Sequence, residues 1–313
     1  MNNRNLRSLG FNPMRPNPLP KTPLRLFFKA LATQPKLLQL SFFWLPMISG
    51  FLLLIAGAVY GYETEIARPS MVYMGVPKTQ QNLDNLTHIL RNQGFMLAYS
   101  EKLANPLWVT YQVTQSQKPF GKRPRFQTDW RSLKRIRYQD YTGSGYSRGH
   151  NAPNYVIASR YGYKAQQQTF LMTNISPQLT EFNTKIWQRL EEVSADYFSK
   201  WYPKFWVMTG PIFDPKPKWL TTAKIAIPKA FYKIFIRPAD KGISPIALAF
   251  VMPQTAPEDG NLLDYVTTID EVESLTGIDF FWQLDDRIEE TLEASKNDQA
   301  WRLSEVAQLP SRY

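Results

Sequence analysis

The chain has 313 residues, of which 43% are hydrophobic and 14% aromatic, and its formal net charge is +11. This composition supports a sizeable packed core and excludes a disordered chain. Cysteine is absent and only two histidines occur, His88 and His150, which excludes disulfide frameworks, thiolate metal sites and multi-histidine zinc sites. The positive charge is concentrated in two segments. Residues 1–36 hold seven basic residues and no acid, and residues 118–138 hold eight basic residues against the single Asp129.

An uncharged stretch of 26 residues runs from Leu37 to Tyr62. A helix of about 20 apolar residues spans the bilayer core, so this stretch predicts a retained transmembrane anchor. The alternatives are a buried core helix, which rarely runs this long without a polar face, and a signal peptide, whose leader is usually shorter than 36 residues.

The basic leader indicates the orientation of that anchor. An acid-free basic segment stays on the cytoplasmic side, so residues 1–36 are expected there and the bulk of the chain on the other side. For a bacterial inner membrane this places the larger domain in the periplasm. A mitochondrial presequence with a downstream anchor has the same composition, so the mitochondrial inner membrane is the alternative location.

Residues 63–80 are expected to form a linker, residues 81–294 the main domain, and residues 295–313 a polar, peripheral tail. Helical spacing of apolar residues predicts helices at Leu83–Gln93, Glu181–Trp201 and Thr268–Gly277. Alternation predicts strands at Phe95–Tyr99, Leu107–Val113, Thr169–Thr173, Phe205–Thr209, Lys224–Ile227, Phe231–Ile236 and Ile246–Val251.

A turn at Asn105-Pro106 would join the first two of these strands into a hairpin. Because the strands and helices do not alternate regularly, the pattern predicts an α+β fold rather than a doubly wound parallel sheet.

The basic segment 118–138 interleaves its charges, Lys134 and Arg135 among them, with aromatic residues. A charge run is usually a solvated surface loop. Lysine and arginine also supply the sequence-independent part of nucleic-acid affinity, so the alternative is an arm that contacts phosphate. Its position directly before the next polar segment favours the arm.

That next segment, residues 140–153, carries Arg148 and His150 among three glycines. A lone histidine in a loop is more often structural than catalytic. Near pH 7, however, a neutral imidazole can take a proton from water, and a neighbouring guanidinium can bind phosphate oxygens. The pairing therefore indicates a general base facing a phosphodiester.

A second polar segment runs from Thr169 to Gln178 and continues into the predicted helix that contains Asn183 and Glu191. Residues eight apart lie along one stripe of a continuous helix, so both side chains could address one site. Amide and carboxylate oxygens suit Mg²⁺. The alternative is an ordinary amphipathic helix whose polar residues are solvated.

Several motifs together resemble a known family. The sequence reads S-R-G-H-N-A-P at 147–153, T-F-L-M-T-N-I-S-P-Q at 169–178 and N-T-K-I-W-Q-R-L-E at 183–191, followed by T-G-P at 209–211 and I-P-K-A-F-Y-K at 227–233. In this order and spacing they resemble the DNA/RNA non-specific endonuclease family over roughly residues 70–285. The resemblance implies a ββα-metal fold, with a central antiparallel sheet flanked by helices, that hydrolyses DNA and RNA.

The resemblance also implies roles for individual residues. His150 would be the general base and Asn183 the direct ligand of a single Mg²⁺, for which Mn²⁺ could substitute. Glu191 would act through water of the ion, Asn174 would orient the site and Arg148 would contact phosphate. A further family arginine corresponds to Arg123 or Arg125. The products would carry 5′-phosphates, and a homodimer is left open because homodimers occur in this family.

Two departures from the family pattern support a different class of function. The family aspartate before Arg148 is Ser147 here, and an arginine often found four residues after Glu191 is Ala195. A chain weakened in this way could bind nucleic acid at the membrane without cutting it, or serve only as a membrane-tethered scaffold. Neither departure removes the predicted base or metal ligand, so an active enzyme remains the favoured interpretation.

Overall fold

The computed structural model describes residues 23–33, 36–79, 86–115, 118–220, 223–240 and 242–311. Most of the predicted basic leader therefore lies outside the described residues. The chain divides into two compact units, Met1–Gly61 and Tyr62–Tyr313.

The first unit contributes the helices α1 (Pro23–Ala32) and α2 (Lys36–Tyr62). From Trp44 onward the apolar side chains of α2 are largely exposed, as with Leu53 and Leu54, which are 73% and 74% exposed. The helical stretch Trp44–Met71 is long and apolar enough to cross a membrane. Such an exposed apolar surface is uncommon on soluble monomers.

The second unit combines short helices with a large sheet. Its strands are β1 (Lys78–Thr79), β2 (Thr87–Arg91), β3 (Phe95–Ser100), β4 (Asn105–Thr114), β5 (Ser147–His150), β6 (Ile175–Gln178), β7 (Lys204–Ile212), β8 (Lys218–Leu220), β9 (Ile225–Ile227), β10 (Ala230–Arg237), β11 (Ile246–Pro253), β12 (Val266–Thr267) and β13 (Ile278–Asp279). Its α-helices are α3 (Asn154–Tyr161), α4 (Tyr163–Thr169), α5 (Thr180–Thr184), α6 (Ile186–Val193), α7 (Ser199–Trp201), α8 (Ile269–Thr276) and α9 (Asp286–Glu293).

A seven-stranded antiparallel sheet in the order β12-β11-β10-β7-β4-β3-β2 forms the centre of this unit. Successive side chains of a strand point to opposite faces, and both faces of this sheet are covered. In β10, for example, Phe231 and Phe235 pack on one face, whereas Tyr232 and Ile234 pack on the other. The central strands therefore read as nearly continuous apolar runs.

The two faces carry different layers. On one face α3 and α6 pack with the C-terminal segment, and Trp187, Leu190 and Trp301 are buried there. On the other face α8 and α9 pack together with Val72 and Tyr73. The α+β prediction, with a central antiparallel sheet flanked by helices, is confirmed.

Several predicted elements are confirmed, namely the strands at Phe95–Tyr99, Leu107–Val113, Phe205–Thr209, Phe231–Ile236 and Ile246–Val251, and the helix before Gly277. Others are wrong. Thr87–Arg91 of the predicted helix Leu83–Gln93 is strand β2, because its backbone pairs with β3 along the sheet edge; residues 81–85 lie outside the described residues. The predicted strand Thr169–Thr173 is instead the end of α4 and a 3-10 turn.

The predicted turn at Asn105-Pro106 is also misplaced, since both residues begin β4 and the chain reverses over residues 101–104. The single helix predicted for Glu181–Trp201 is interrupted. Lys185 has φ −117° and ψ −101°, which separates α5 from α6, and Ser194–Phe198 is π-helical.

The expected domain boundaries differ from the structure at both ends. Trp301 and Leu303 are fully buried in the core, so residues 295–311 are part of the domain and not a peripheral tail. Within the expected linker, Val72 and Tyr73 pack against the other face of the sheet. The sequence does not predict either contact, because each segment is mostly polar. A few apolar side chains are nevertheless enough to pack such a segment against the domain.

Gly210 of the T-G-P motif has no room for a side chain, since an added Cβ would overlap the Leu107 carbonyl oxygen. We expect Gly210→Ala to lower the free energy of unfolding by about 1–3 kcal/mol through overpacking. Gly277, which ends α8 with φ +66° in open space, is the comparison. There alanine should cost only about 1 kcal/mol, from backbone strain alone. Chemical denaturation of both variants measures the difference, and equal losses would contradict the steric argument.

Candidate active site

The candidate site is built on a small ββα unit. Strands β5 and β6 pair antiparallel, with His150 opposite Ile175 and Gly149 opposite Ser176, and α5 follows β6 directly. A Cβ on Gly149 would overlap the Gln178 side chain. A larger residue next to the histidine would therefore require the buried Gln178 side chain to move.

The chain after His150 is held by the fully buried Asn174. Its Oδ1 accepts a hydrogen bond from the Ala152 N–H at 2.9 Å, and its Nδ2 donates to the Ala152 carbonyl at 3.1 Å and to the Thr169 carbonyl at 2.9 Å. The backbone N–H of Asn151 donates to the Asn174 carbonyl as well. Asn174 is thus placed to position the histidine strand through the backbone, and it does not line the cleft described below.

His150 lies in a partly aromatic environment. Its ring centroid is 4.7 Å from that of Phe170 and 5.6 Å from that of Phe126. Its Nε2 is buried and has no hydrogen-bond partner among the described residues. Burial, with a smaller contribution from the Arg123 guanidinium, lowers the pKa of His150 to about 3. The imidazole is therefore neutral near pH 7, and the lowered pKa makes it a weaker base than an exposed histidine.

One cleft of about 490 Å³ brings the predicted residues together. His150, Asn183 and Glu191 all line it, and so do Arg123 and Arg148. Asn183 lies on α5 and Glu191 on α6. The two side chains reach the same cleft across the break at Lys185, and not along one uninterrupted helix as the spacing predicted.

The two arginines are placed at the cleft by aromatic neighbours. The Nε and Nη2 groups of Arg148 donate to the Tyr138 carbonyl at 2.9 and 2.7 Å, and its guanidinium lies 5.8 Å from the Phe126 ring centroid. The guanidinium of Arg123 lies 5.5 Å from the Phe170 ring centroid. Of the two alternatives for the upstream family arginine, the structure brings Arg123 to the cleft and not Arg125.

The other basic residues predicted to bind nucleic acid do not line this cleft. The Nζ of Lys134 donates to the Lys102 carbonyl at 3.1 Å and to the Lys224 carbonyl at 3.0 Å, and burial lowers its pKa. Arg125 and Arg135 are exposed. Any contact of these three with nucleic acid would therefore lie outside the cleft, and it stays a prediction.

The structure shows what occupies the two positions that depart from the family pattern. The Ser147 hydroxyl lies 2.9 Å from the hydroxyl of Thr180, the first residue of α5, so it still links the histidine strand to the helix of Asn183. Ala195 is buried in the core and its carbonyl accepts a hydrogen bond from Arg160. Neither position lines the cleft.

The sequence motifs assign no role to Lys233. This lysine of β10 is fully buried, with its Nζ 3.4 Å from Glu191 Oε1 and 4.3 Å from the Trp187 ring centroid. Burial raises the pKa of Glu191 to about 7, against the opposing effect of the Lys233 charge, and burial lowers the pKa of Lys233. In the sequence, Lys233 could have been noticed because it is a single charged residue inside the apolar run Ala230–Ile236.

Comparison with known proteins identifies relatives of this chain. The sequence model of the family described as DNA/RNA non-specific endonuclease matches residues 76–287, which confirms the resemblance seen in the motifs. Mitochondrial endonuclease G of Homo sapiens is 27% identical over 215 residues, covering 63% of this chain and 71% of the relative. The mitochondrial nuclease EXOG of Xenopus laevis is 30% identical over 207 residues, covering 60% of this chain and 57% of the relative.

A fungal relative and a solved structure extend the comparison. A nuclease of Syncephalastrum racemosum is 29% identical over 226 residues, covering 64% of this chain and 69% of the relative. In the crystal structure of the EndoG/EndoGI complex, one chain matches with a TM-score of 0.58 and 24% identity, covering 64% of this chain and 89% of that one. At this identity the structural match shows the fold alone.

The buried Lys233–Glu191 pair generates a prediction. In Lys233→Met, the carboxylate of Glu191 loses its counter-charge, so its pKa should rise further; each unit leaves about tenfold less carboxylate near pH 7. We expect nuclease activity at pH 7 to fall about tenfold and to recover partly at higher pH. Lys185→Met is the matched control, because Lys185 is half-buried beside the same helices and pairs with Glu258 at 3.7 Å. Unchanged activity in Lys233→Met would show that the pair is dispensable.

Proposed function

The chain belongs to the DNA/RNA non-specific endonuclease family, whose members are metal-dependent nucleases, and on that premise we propose that it is a membrane-anchored, Mg²⁺-dependent endonuclease with His150 as general base. The observation that carries the proposal is the single cleft that His150, Asn183 and Glu191 line together with two arginines. A base, hard oxygen donors and phosphate-binding cations at one place are the groups that phosphodiester hydrolysis requires.

The donor set of the cleft fits a hard divalent ion. Asn183 offers a carboxamide oxygen and Glu191, whose side chain is 17% exposed, offers a carboxylate. His150 is the one histidine among the residues lining the cleft. Two oxygen donors favour Mg²⁺ or Mn²⁺ over zinc. When bound there, the ion would offset the negative charge that develops on the phosphate and on the departing oxygen.

We assign the proton transfer to His150. Its neutral imidazole can take a proton from the water that attacks phosphorus, and a positioned base of this kind contributes about 10²–10⁴-fold to rate. The rings of Phe126 and Phe170 restrict the orientation of the imidazole. Arg123 and Arg148 bind the phosphate oxygens and hold the phosphodiester in front of the base.

Substrate scope follows from what these groups contact. The cleft residues with assigned roles address phosphate, and none of them requires a 2′-hydroxyl or a base edge. Contacts to phosphate position a nucleic acid but do not read its sequence. We therefore propose that both DNA and RNA are substrates without sequence specificity and that departure of the 3′ oxygen leaves 5′-phosphate ends.

The anchor and location are part of the same proposal. The exposed apolar helix beginning at Trp44 would hold the enzyme in a bilayer, with the catalytic unit on the side opposite the basic leader. For a bacterial chain this side is the periplasm. Several relatives carry mitochondrial names, which supports the mitochondrial inner membrane as the alternative, with the same order of leader, anchor and nuclease.

Cleavage of plasmid by the full chain in detergent tests the chemistry. We expect Mg²⁺-dependent nicking that EDTA abolishes, and a loss of at least about a hundredfold in His150→Ala with retained DNA binding. His88→Ala is the matched control, since the other histidine lies on β2 beside Glu101 and outside the cleft. Asn183→Ala should raise the Mg²⁺ concentration for half-maximal activity about tenfold to a hundredfold.

The outcomes separate the candidate functions. Full activity in His150→Ala would remove the assigned base, and an unchanged Mg²⁺ titration in Asn183→Ala would remove the assigned ligand. Intact plasmid together with a gel shift in the wild-type protein would establish the alternative, a nucleic-acid-binding protein on a weakened nuclease fold. End-labelling of products tests the 5′-phosphate separately.

A reporter fusion tests the anchor. We expect alkaline phosphatase, which is active only after export from the bacterial cytoplasm, to be active when fused after Arg68. The same fusion lacking residues 37–62 is the control and should be inactive in the soluble fraction. A membrane-bound but inactive fusion would reverse the proposed orientation, and an active fusion released from the membrane would indicate a cleaved signal.

A further inference from the structure

A second group of acidic side chains lies away from the cleft, on the helices α8 and α9. Asp270 and Glu273 of α8 and Glu293, the last residue of α9, each direct one carboxylate oxygen toward a common point, and these oxygens lie within 4.8 Å of one another. Residues of α8 and α9 pack on the sheet face opposite the one that carries α6. The group is therefore separated from the candidate active site by the sheet.

Glu293 makes this more than a surface acidic cluster. It is only 8% exposed, and its Oε1 is buried without a hydrogen-bond partner among the described residues. A buried carboxylate normally needs a partner, because an unpaired charge out of water is costly. Burial, followed by repulsion from Glu273 and Glu289, raises the pKa of Glu293 to about 8.

The surrounding charges do not neutralise the cluster. Asp279 and Glu289 add further negative charge nearby. Lys78, on the adjacent strand β1, pairs with Asp279 at 3.5 Å and lies 3.8 Å from the Trp282 ring centroid. Glu273 Oε1 accepts one hydrogen bond, from the Phe280 N–H at 2.6 Å. Glu293 receives no such bond, so the converging oxygens are short of positive partners.

We propose that Asp270, Glu273 and Glu293 form a second divalent-cation site, of the calcium type, that holds α9 against α8. Ca²⁺ binds carboxylate oxygens at about 2.3–2.6 Å in a flexible shell, so two oxygens on one ion stand at most about 5 Å apart. The oxygens lie within 4.8 Å of one another, which fits this limit. Three carboxylates leave room for water to complete the six to eight oxygens that Ca²⁺ takes, whereas Mg²⁺ demands a stricter octahedron.

The site has no part in the chemistry of the cleft and acts on stability. An ion bound to α8 and α9 would join two helices that both pack on β11. A ligand that binds only the folded chain stabilises it in proportion to the logarithm of its concentration over Kd. The expected readout is therefore a calcium-dependent rise in Tm that does not depend on nuclease activity.

Thermal unfolding of the full chain in detergent, with Ca²⁺ added after EDTA treatment, tests the proposal. The measurements use an Asn183→Ala background, which impairs the ion site proposed for the cleft. At about one hundred times Kd, we expect Ca²⁺ to raise Tm by about 5–10 °C. In the same background Glu293→Gln should abolish this rise, because the amide removes one of the three carboxylates that would hold the ion.

Two further variants complete the test. Asp270→Asn, at an exposed position that should not disturb folding, should also reduce the calcium-dependent rise. Glu290→Gln, an exposed neighbour on α9, is the matched control and should retain it. A Tm that does not respond to Ca²⁺ in the Asn183→Ala protein would overturn the proposal. So would a rise of equal size in Glu293→Gln, because it would place the bound ion elsewhere.

Discussion

The pairing of β5 with β6 is the constraint on which the candidate site depends. It fixes His150 at the end of a four-residue strand, and the continuation of β6 into α5 brings Asn183 to the same cleft. Hydrogen bonds from the buried Asn174 to Ala152 and Thr169 hold the backbone after the histidine. A residue larger than glycine before the histidine would have to displace the buried side chain of Gln178 on β6.

The large sheet separates two groups of buried ionisable side chains, one on each of its faces. On one face the buried Lys233 pairs with Glu191, so this carboxylate of the cleft has a positively charged partner in the core. On the other face Glu293 is buried among carboxylates with no such partner. A buried charge is costly when it is alone. The first arrangement contains its own counter-charge, whereas in the second the raised pKa of Glu293 favours the uncharged carboxyl until a cation replaces its proton.

The sequence and the structure agree where local pattern and tertiary context favour the same element. The strands around Phe231–Ile236 and Ile246–Val251 were predictable because their apolar runs are too short for a typical helix and are rich in isoleucine and phenylalanine, which favour strands. Thr87–Arg91 was not, since the four apolar residues of the predicted helix Leu83–Gln93 fit either a helix or an edge strand, and pairing of Thr87–Arg91 with β3 decided between them. The break at Lys185 was invisible to periodicity, which continues unchanged across it.

The sequence by itself determined the family, through motifs whose order and spacing survive from Ser147 to Lys233, and it determined the uncharged span, since length and apolarity are local properties. Tertiary structure decided which side chains act together. His150, Asn183 and Arg123 line one cleft, whereas Arg125 lies outside it. Lys134 donates hydrogen bonds to backbone carbonyls, and Trp301 of the expected tail is buried. The physical reason is that proximity, burial and the partners of a charge arise only when distant segments pack, and no local pattern encodes them.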